Sequence, residues 1–318
     1  MRRLAVAVAC VAPLIAGALV AAPGFVSAHP LADASHCAIF PANNPWNQRV
    51  DRLPVAKNSA SLIARIGLND PVHPDFGSGL YHGEPIGIQY AVVGSATRKV
   101  PVTFQYASES DKGPYPLPPG VPIEGGSGSS GDRHVIVVDR DSCTDYELYA
   151  AYPHDHGLRW SAGSGAIFNL RSDHLRPAGW TSGDAAGLPI LPGLVRWSEV
   201  ASGHIDHALR FTVEHTRRSY VYPARHFASD STDANLPPMG LRVRLGAEYP
   251  ISGFPPQARV LLQALKTYGM IVADNGSSWY VSGEPNAHWS NDDLHTIGRV
   301  AGSAFEVVDT SSLRPKSK

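Results

Sequence analysis

Ionisable side chains set inside apolar, strand-like segments are the places where this chain could do chemistry. Glu147 lies in Tyr146-Glu147-Leu148-Tyr149, Asp206 and His207 open a segment running to Phe211, Arg225 and His226 close Tyr222-Pro223-Ala224-Arg225-His226, and Asp274 and Asn275 follow Met270–Ala273. Alternate side chains of a strand share a face, so His207 shares one with Leu209 and Phe211, opposite Asp206 and Arg210. A charged group on an inward face costs free energy unless it is paired. Carboxylates and imidazoles gathered at strand ends would form a cleft suited to general acid–base catalysis. The expected catalytic set is therefore Glu147, Asp274, His207 and His226. Glu147 is expected as proton donor or nucleophile and Asp274 as partner carboxylate, while the two histidines orient substrate or exchange protons. Arg210 and Arg225 are expected to bind an acidic sugar or to tune Glu147.

Each of these residues also has a structural explanation. Glu147 could be ion-paired, His207 and His226 satisfied within the core, and Asp274-Asn275-Gly276 a turn. Arg210 and Arg225 could simply pair with Glu147 or Asp206.

Trp160, Trp180, Trp279, Tyr280 and Trp289 stand beside glycine, serine, asparagine or turn residues. Loop aromatics present flat apolar faces that match the faces of pyranose rings. Trp160, Trp180 and Trp279 are the candidate sugar-binding residues, with burial at the ends of a β-fold as the alternative. The sequence lacks a G-x-S-x-G elbow, H-E-x-x-H, C-x-x-C and a phosphate loop. It also lacks the E-x-D-x-x-E strand of familiar β-jelly-roll glycosidases. The acidic run Asp139-x-Asp141-x-Cys143-x-Asp145 reads as a hairpin turn, since it has neither the glycine nor the distal glutamate of an EF-hand loop.

The elements that must position these groups are numerous and short. Strand-like segments rich in valine, isoleucine, tyrosine and phenylalanine recur from residue 88 to residue 308. Val135-Ile136-Val137-Val138 is continuously apolar and predicts a strand buried on both faces. Two helices are expected, over 58–66 and 256–268. The second has Pro255-Pro256 at its start, Gly269 at its end, and Val260, Leu261, Ala264, Leu265 and Tyr268 on one face. The expected fold is mainly β, a β-sandwich or distorted barrel with one well-formed α-helix; α+β is the alternative. Residues 113–131, rich in proline and glycine, read as a long surface loop within a single domain spanning 29–318.

Residues 1–28 have the layout of a secretory signal peptide. Arg2 and Arg3 precede an apolar stretch, and Val26-Ser27-Ala28 forms a small-residue cleavage site. The expected location is extracellular, with no membrane attachment after cleavage. Cys37 and Cys143 then remain, and an oxidising compartment favours a disulfide between them. It would close a loop of roughly 105 residues, worth ~4 kcal/mol in the chain-entropy model. The 318-residue chain is 43% hydrophobic and 17% charged, with formal net charge −1. This composition excludes intrinsic disorder, and without a basic stripe nucleic acid is not an expected partner.

The blocks Asn44-Pro45-Trp46-Asn47, Gly131–Asp141, Arg176–Ser182 and Tyr268–Gly276 carry a resemblance. The chain from about Cys37 to Asp309 resembles a group of secreted bacterial proteins of uncertain function. The resemblance implies one secreted unit and assigns no catalytic role to any position.

Together these features predict a secreted, monomeric carbohydrate-active enzyme that cleaves a polysaccharide by hydrolysis or elimination, without a cofactor. A non-catalytic glycan-binding or cell-surface protein is the alternative. A further alternative is copper-dependent oxidation. Cleavage after Ala28 would free the N-terminus of His29, whose amine and ring can chelate copper as in lytic polysaccharide monooxygenases.

Overall fold

The computed structural model describes residues 30–314. The fold is mainly β, built of short strands in several sheets with few helices. A six-stranded mixed sheet runs in the order His73–Asp75, Tyr280–Ser282, Leu209–Val213, Met270–Asn275, Arg242–Leu245, Phe305–Val307. A four-stranded sheet has the order Ser164–Asn169, Thr144–Tyr149, Val135–Asp139, Tyr90–Val93. A three-stranded sheet is formed by Val102–Phe104, Arg159–Ala162 and Tyr152–His154. Leu80–Tyr81 and Glu84–Pro85 form a small two-stranded sheet.

The valine-rich strand explains how these sheets share interiors. Its side chains alternate between two cores: Ile136 and Val138 join a large core with Phe211, Met270 and Val281, whereas Val135 and Val137 join a smaller one with Tyr115, Leu148 and Trp160. Both faces are buried, as the unbroken apolar run predicts. Residues 113–131 are not simply surface loop, because Tyr115, Leu117, Val121 and Ile123 are buried in the smaller core.

The 12-residue helix Pro256–Thr267 buries Leu261, Leu262, Ala264 and Leu265 in the large core, and Arg259 and Gln263 face outward. It ends at Gly269, where φ is +65° and a Cβ would stand 2.1 Å from the Val243 carbonyl oxygen. Only glycine fits there. The 9-residue helix Ser59–Gly67 occupies nearly the expected position. The segment 219–222, which reads as a strand, makes only an isolated bridge between Tyr220 and Met239.

Cys37 and Cys143 are joined by a disulfide with their Cα atoms 5.4 Å apart. It fastens the N-terminal segment to the hairpin that follows Val135–Asp139. Asp139 forms that hairpin by accepting the backbone N–H groups of Asp141 and Ser142.

Candidate active site

An open cavity of ≈470 Å³ lies where the ends of the two main sheets meet. Asp274 and Asn275 reach it from the end of a central strand of the six-stranded sheet. Tyr149 and Ser164 come from the four-stranded sheet. Thr181–Ala185, His226 and Ala228 come from loops, and Tyr106, Glu109 and Asp132 complete the lining.

The local backbone is built to aim Asp274. The parallel pairing of Leu209–Val213 with Met270–Asn275 slips between Phe211 and Thr212, so that Phe211 pairs with Val272 but Thr212 with Asp274. Ala273 is the extra residue. Such bulges redirect side chains beside functional sites. The Ala273 carbonyl accepts the Ala186 N–H at 2.9 Å, tying the 181–188 loop to the strand end. Within that loop, Ser182 Oγ accepts the Asp184 N–H at 3.0 Å and donates to the Leu188 carbonyl at 2.5 Å.

Two ion pairs, one buried and one largely buried, lie beside the cavity. Arg210 grips Asp184 in a bidentate pair, with Nε–Oδ2 3.0 Å and Nη2–Oδ1 2.5 Å, and also donates to Ser282. His134 Nδ1 stands 2.6 Å from Glu124 Oε2, and its Nε2 is 3.0 Å from the Gly183 carbonyl oxygen. Both imidazole nitrogens therefore face acceptors. Burial disfavours the imidazolium, but the Glu124 carboxylate more than offsets this and lifts the His134 pKa to about 9. Glu124 is correspondingly held below its ordinary value: burial raises it, and His134 outweighs that effect.

Among the described residues, no cation pairs directly with Asp274. Its Oδ1 accepts the Asn275 N–H at 2.7 Å. Burial among protein atoms, reinforced by the negative charge of Asp184, lifts its pKa to about 7 against the opposing influence of Arg210 and His134. Because the carboxyl still borders the open cavity, it is placed to give or take a proton near neutrality. Tyr149 is close enough to feel Asp274; its pKa is raised by burial first and then by Asp132 and Asp274. His226 is fixed by a 2.7 Å contact from Nδ1 to the Ala185 carbonyl, with Nε2 3.7 Å from Glu109.

Of the residues expected from sequence, the cavity brings together Asp274 and His226, with Arg210 directly behind through Asp184. Glu147 does not line it. This carboxylate is fully buried and accepts the N–H groups of Ile190 and Leu191 at 2.7–2.9 Å. Gly183, which lines the cavity, lies against it: a Cβ on Gly183 would be 3.3 Å from Glu147 Oε2. Burial raises the Glu147 pKa to about 7 against those two amides, and the adjoining Asp145 is raised well above its usual value by burial and by Glu147. Among the described residues, Asp145 accepts no N–H or O–H from elsewhere, so a proton held between the two carboxyls satisfies both.

His207 is also enclosed. Its Nε2 lies 3.1 Å from Glu199, which pairs with Arg196, and its Nδ1 lies 2.8 Å from the Ala208 carbonyl. Arg225 donates to the Arg176 carbonyl at 2.7 Å. Arg210 is committed to Asp184, Arg225 is held through its Nε, and neither arginine lines the cavity.

The aromatic residues are likewise placed differently. Trp279 is fully buried, stacked on Phe211 and Phe305, and Trp160 belongs to the smaller core. Neither can lie against a ligand arriving from solvent. Trp180 is only partly buried and lies under the Arg176 guanidinium, 5.5 Å from it.

Sequence reasoning missed Asp184, Glu124 and His134. Asp184 sits in Thr181-Ser182-Gly183-Asp184, which reads as a turn. Glu124 and His134 meet only because the chain folds back between residues 124 and 134. The available signal was a histidine directly preceding the most apolar strand.

His29 lies outside the described residues. Among the described residues, the one grouping of possible metal ligands is His36 with Cys37 and Cys143, whose sulfurs form the disulfide. Among the same residues, no helix is long and apolar enough to cross a membrane. No protein-family model matches the chain, and comparison with curated proteins and with solved structures finds no significant match.

Proposed function

We propose that this is a secreted glycan-cleaving enzyme that hydrolyses a polysaccharide by acid–base chemistry, with Asp274 as the proton-transferring carboxyl. The observation that carries the reading is Asp274 itself, a carboxyl titrating near neutrality at the edge of an open cavity. Glycoside hydrolysis uses two carboxyl groups in different protonation states. Asp184, Asp132 and Glu109 line the same cavity, so a second carboxylate is at hand. In this scheme Asp274 protonates the glycosidic oxygen as its bond to the sugar carbon breaks, and the second carboxylate either takes the proton of the attacking water or itself attacks that carbon, forming an ester that water then cleaves. His226 and Tyr149 hold substrate hydroxyls.

Hydrolysis is favoured over elimination. A uronate lyase must neutralise the sugar carboxylate, and neither of the two arginines expected for that task lines the cavity. Secretion agrees with the signal-like N-terminus and the Cys37–Cys143 disulfide.

The test is incubation of the mature protein with a broad panel of polysaccharides, reading products by mass spectrometry. Fragments that have gained water are expected. Unsaturated ends would replace hydrolysis by elimination, and intact polymer throughout would overturn a catalytic role.

A further inference from the structure

The candidate cavity is the first of three neighbouring hollows. A second hollow of ≈450 Å³ shares Ala228 and Asn275 with it, and a third of ≈460 Å³ shares Glu214 with the second. The path follows the strand end from Asp274 through Asn275 and Gly276 to Tyr280, whose ring stacks on His73 with centroids 4.2 Å apart. Among the described residues, no lysine or arginine lines any of the three hollows. Arg217 and Arg218, next along the chain from the second hollow, do not line it: Arg217 donates to the Ala234 carbonyl and Arg218 lies over Phe227. The ionisable groups facing the groove are instead Asp70, Glu109, Asp132, Glu214 and Asp274, beside His73, His215 and His226; Asp184 is offset by Arg210.

Resting on the proposed hydrolase reading, we infer that the three hollows form one extended cleft for a polymeric glycan without acidic groups, preferentially one carrying protonated amino sugars. Two features point this way. Continuity of the hollows matches a chain of several sugar units, with Tyr280 and His73 serving a remote unit and Asp274 the cleaved one. A groove whose carboxylates outnumber its histidines, with no lysine or arginine in its lining, concentrates cations and disfavours uronate, sulfate or phosphate.

The test is calorimetric titration of Asp274→Asn, in which cleavage is suppressed, with dimers and hexamers of three sugars: glucosamine, N-acetylglucosamine and galacturonate. The hexamers of the first two should bind at least about tenfold more tightly than their dimers, a difference of about 1.4 kcal/mol. The order should be glucosamine, then N-acetylglucosamine, then galacturonate, with the glucosamine advantage shrinking in high salt. Tyr280→Ala should weaken the hexamer and leave the dimer unchanged. Equal binding of dimer and hexamer, preference for galacturonate, or no hexamer binding would overturn the extended cleft. Length-independent cleavage by the wild type would sink this inference alone, whereas tight hexamer binding without any cleavage would sink only the hydrolase reading.

Discussion

His134 bridges Glu124 and the carbonyl of Gly183, with contacts of 2.6 and 3.0 Å, and so ties a largely buried ion pair to the wall of the cavity. Gly183 is adjacent to Asp184 and lies against Glu147. The electrostatics beside the site and the shape of its wall therefore depend on one imidazolium.

The His134–Glu124 pair should set both limits of a stability plateau. The His134 pKa is raised, so its contribution is complete below about pH 6.5 and is lost as pH rises through about 9. That of Glu124 is lowered, so its contribution is present above its ordinary value of 4.5 and is lost as pH falls through the depressed folded value. His134→Gln strands the Glu124 carboxylate and should cost on the order of 3 kcal/mol near pH 7. Melting curves at successive pH values should show that the variant lacks the alkaline decline; an identical decline in both proteins would detach it from His134.

Asp274 acts on stability with the opposite sign. Its folded pKa lies above that of the unfolded chain, so the folded state binds the extra proton between about pH 4 and 7, and stability falls as pH rises through this window. Asp274→Asn should match wild type in Tm near pH 4 and exceed it at pH 8. Carboxyl-carbon NMR of the wild type should find a midpoint near 7; a midpoint close to 3.8 would remove the basis for proton transfer by this residue.

Glu147 should prove structural. Glu147→Gln removes the charged acceptor from the Ile190 and Leu191 amides and should lower stability by about 1–3 kcal/mol. Turnover measured well below the melting temperature should stay within about twofold of wild type, where loss of a proton donor costs about a hundredfold or more. A hundredfold loss in a fully folded variant would return Glu147 to the catalytic set.

Replacing Cys37 and Cys143 together by serine should cost about 2–5 kcal/mol and lower the melting temperature. Activity at low temperature should survive, because neither cysteine lines the cavity. Loss of activity without loss of stability would contradict that separation.

The sequence carried much of the fold. The Val135–Val138 run specifies a doubly buried strand because no polar side chain interrupts it, and the helix ending at Gly269 is bounded by proline and glycine chemistry. The site was only partly legible. Glu147 was correctly conspicuous as a charge in an apolar strand, but its partners are backbone amides 43 and 44 residues away. Backbone donors leave no mark in residue types. Asp184 was hidden for the opposite reason, since a carboxylate after serine and glycine looks like ordinary turn chemistry until Arg210 is seen to hold it. Trp279 misled because its turn-like neighbours give no hint that Phe211 and Phe305 enclose its ring.

In the proposed hydrolysis Asp274 transfers the proton to the departing sugar. The most direct test is kcat/KM of the wild type and of Asp274→Asn as a function of pH, on whichever glycan of the panel is cleaved fastest. A wild-type profile that falls above a pH of about 7, with a loss of about 10²–10⁴-fold in the variant across the range, is the predicted result. Wild-type-like activity in Asp274→Asn, with an unchanged pH profile, would contradict it.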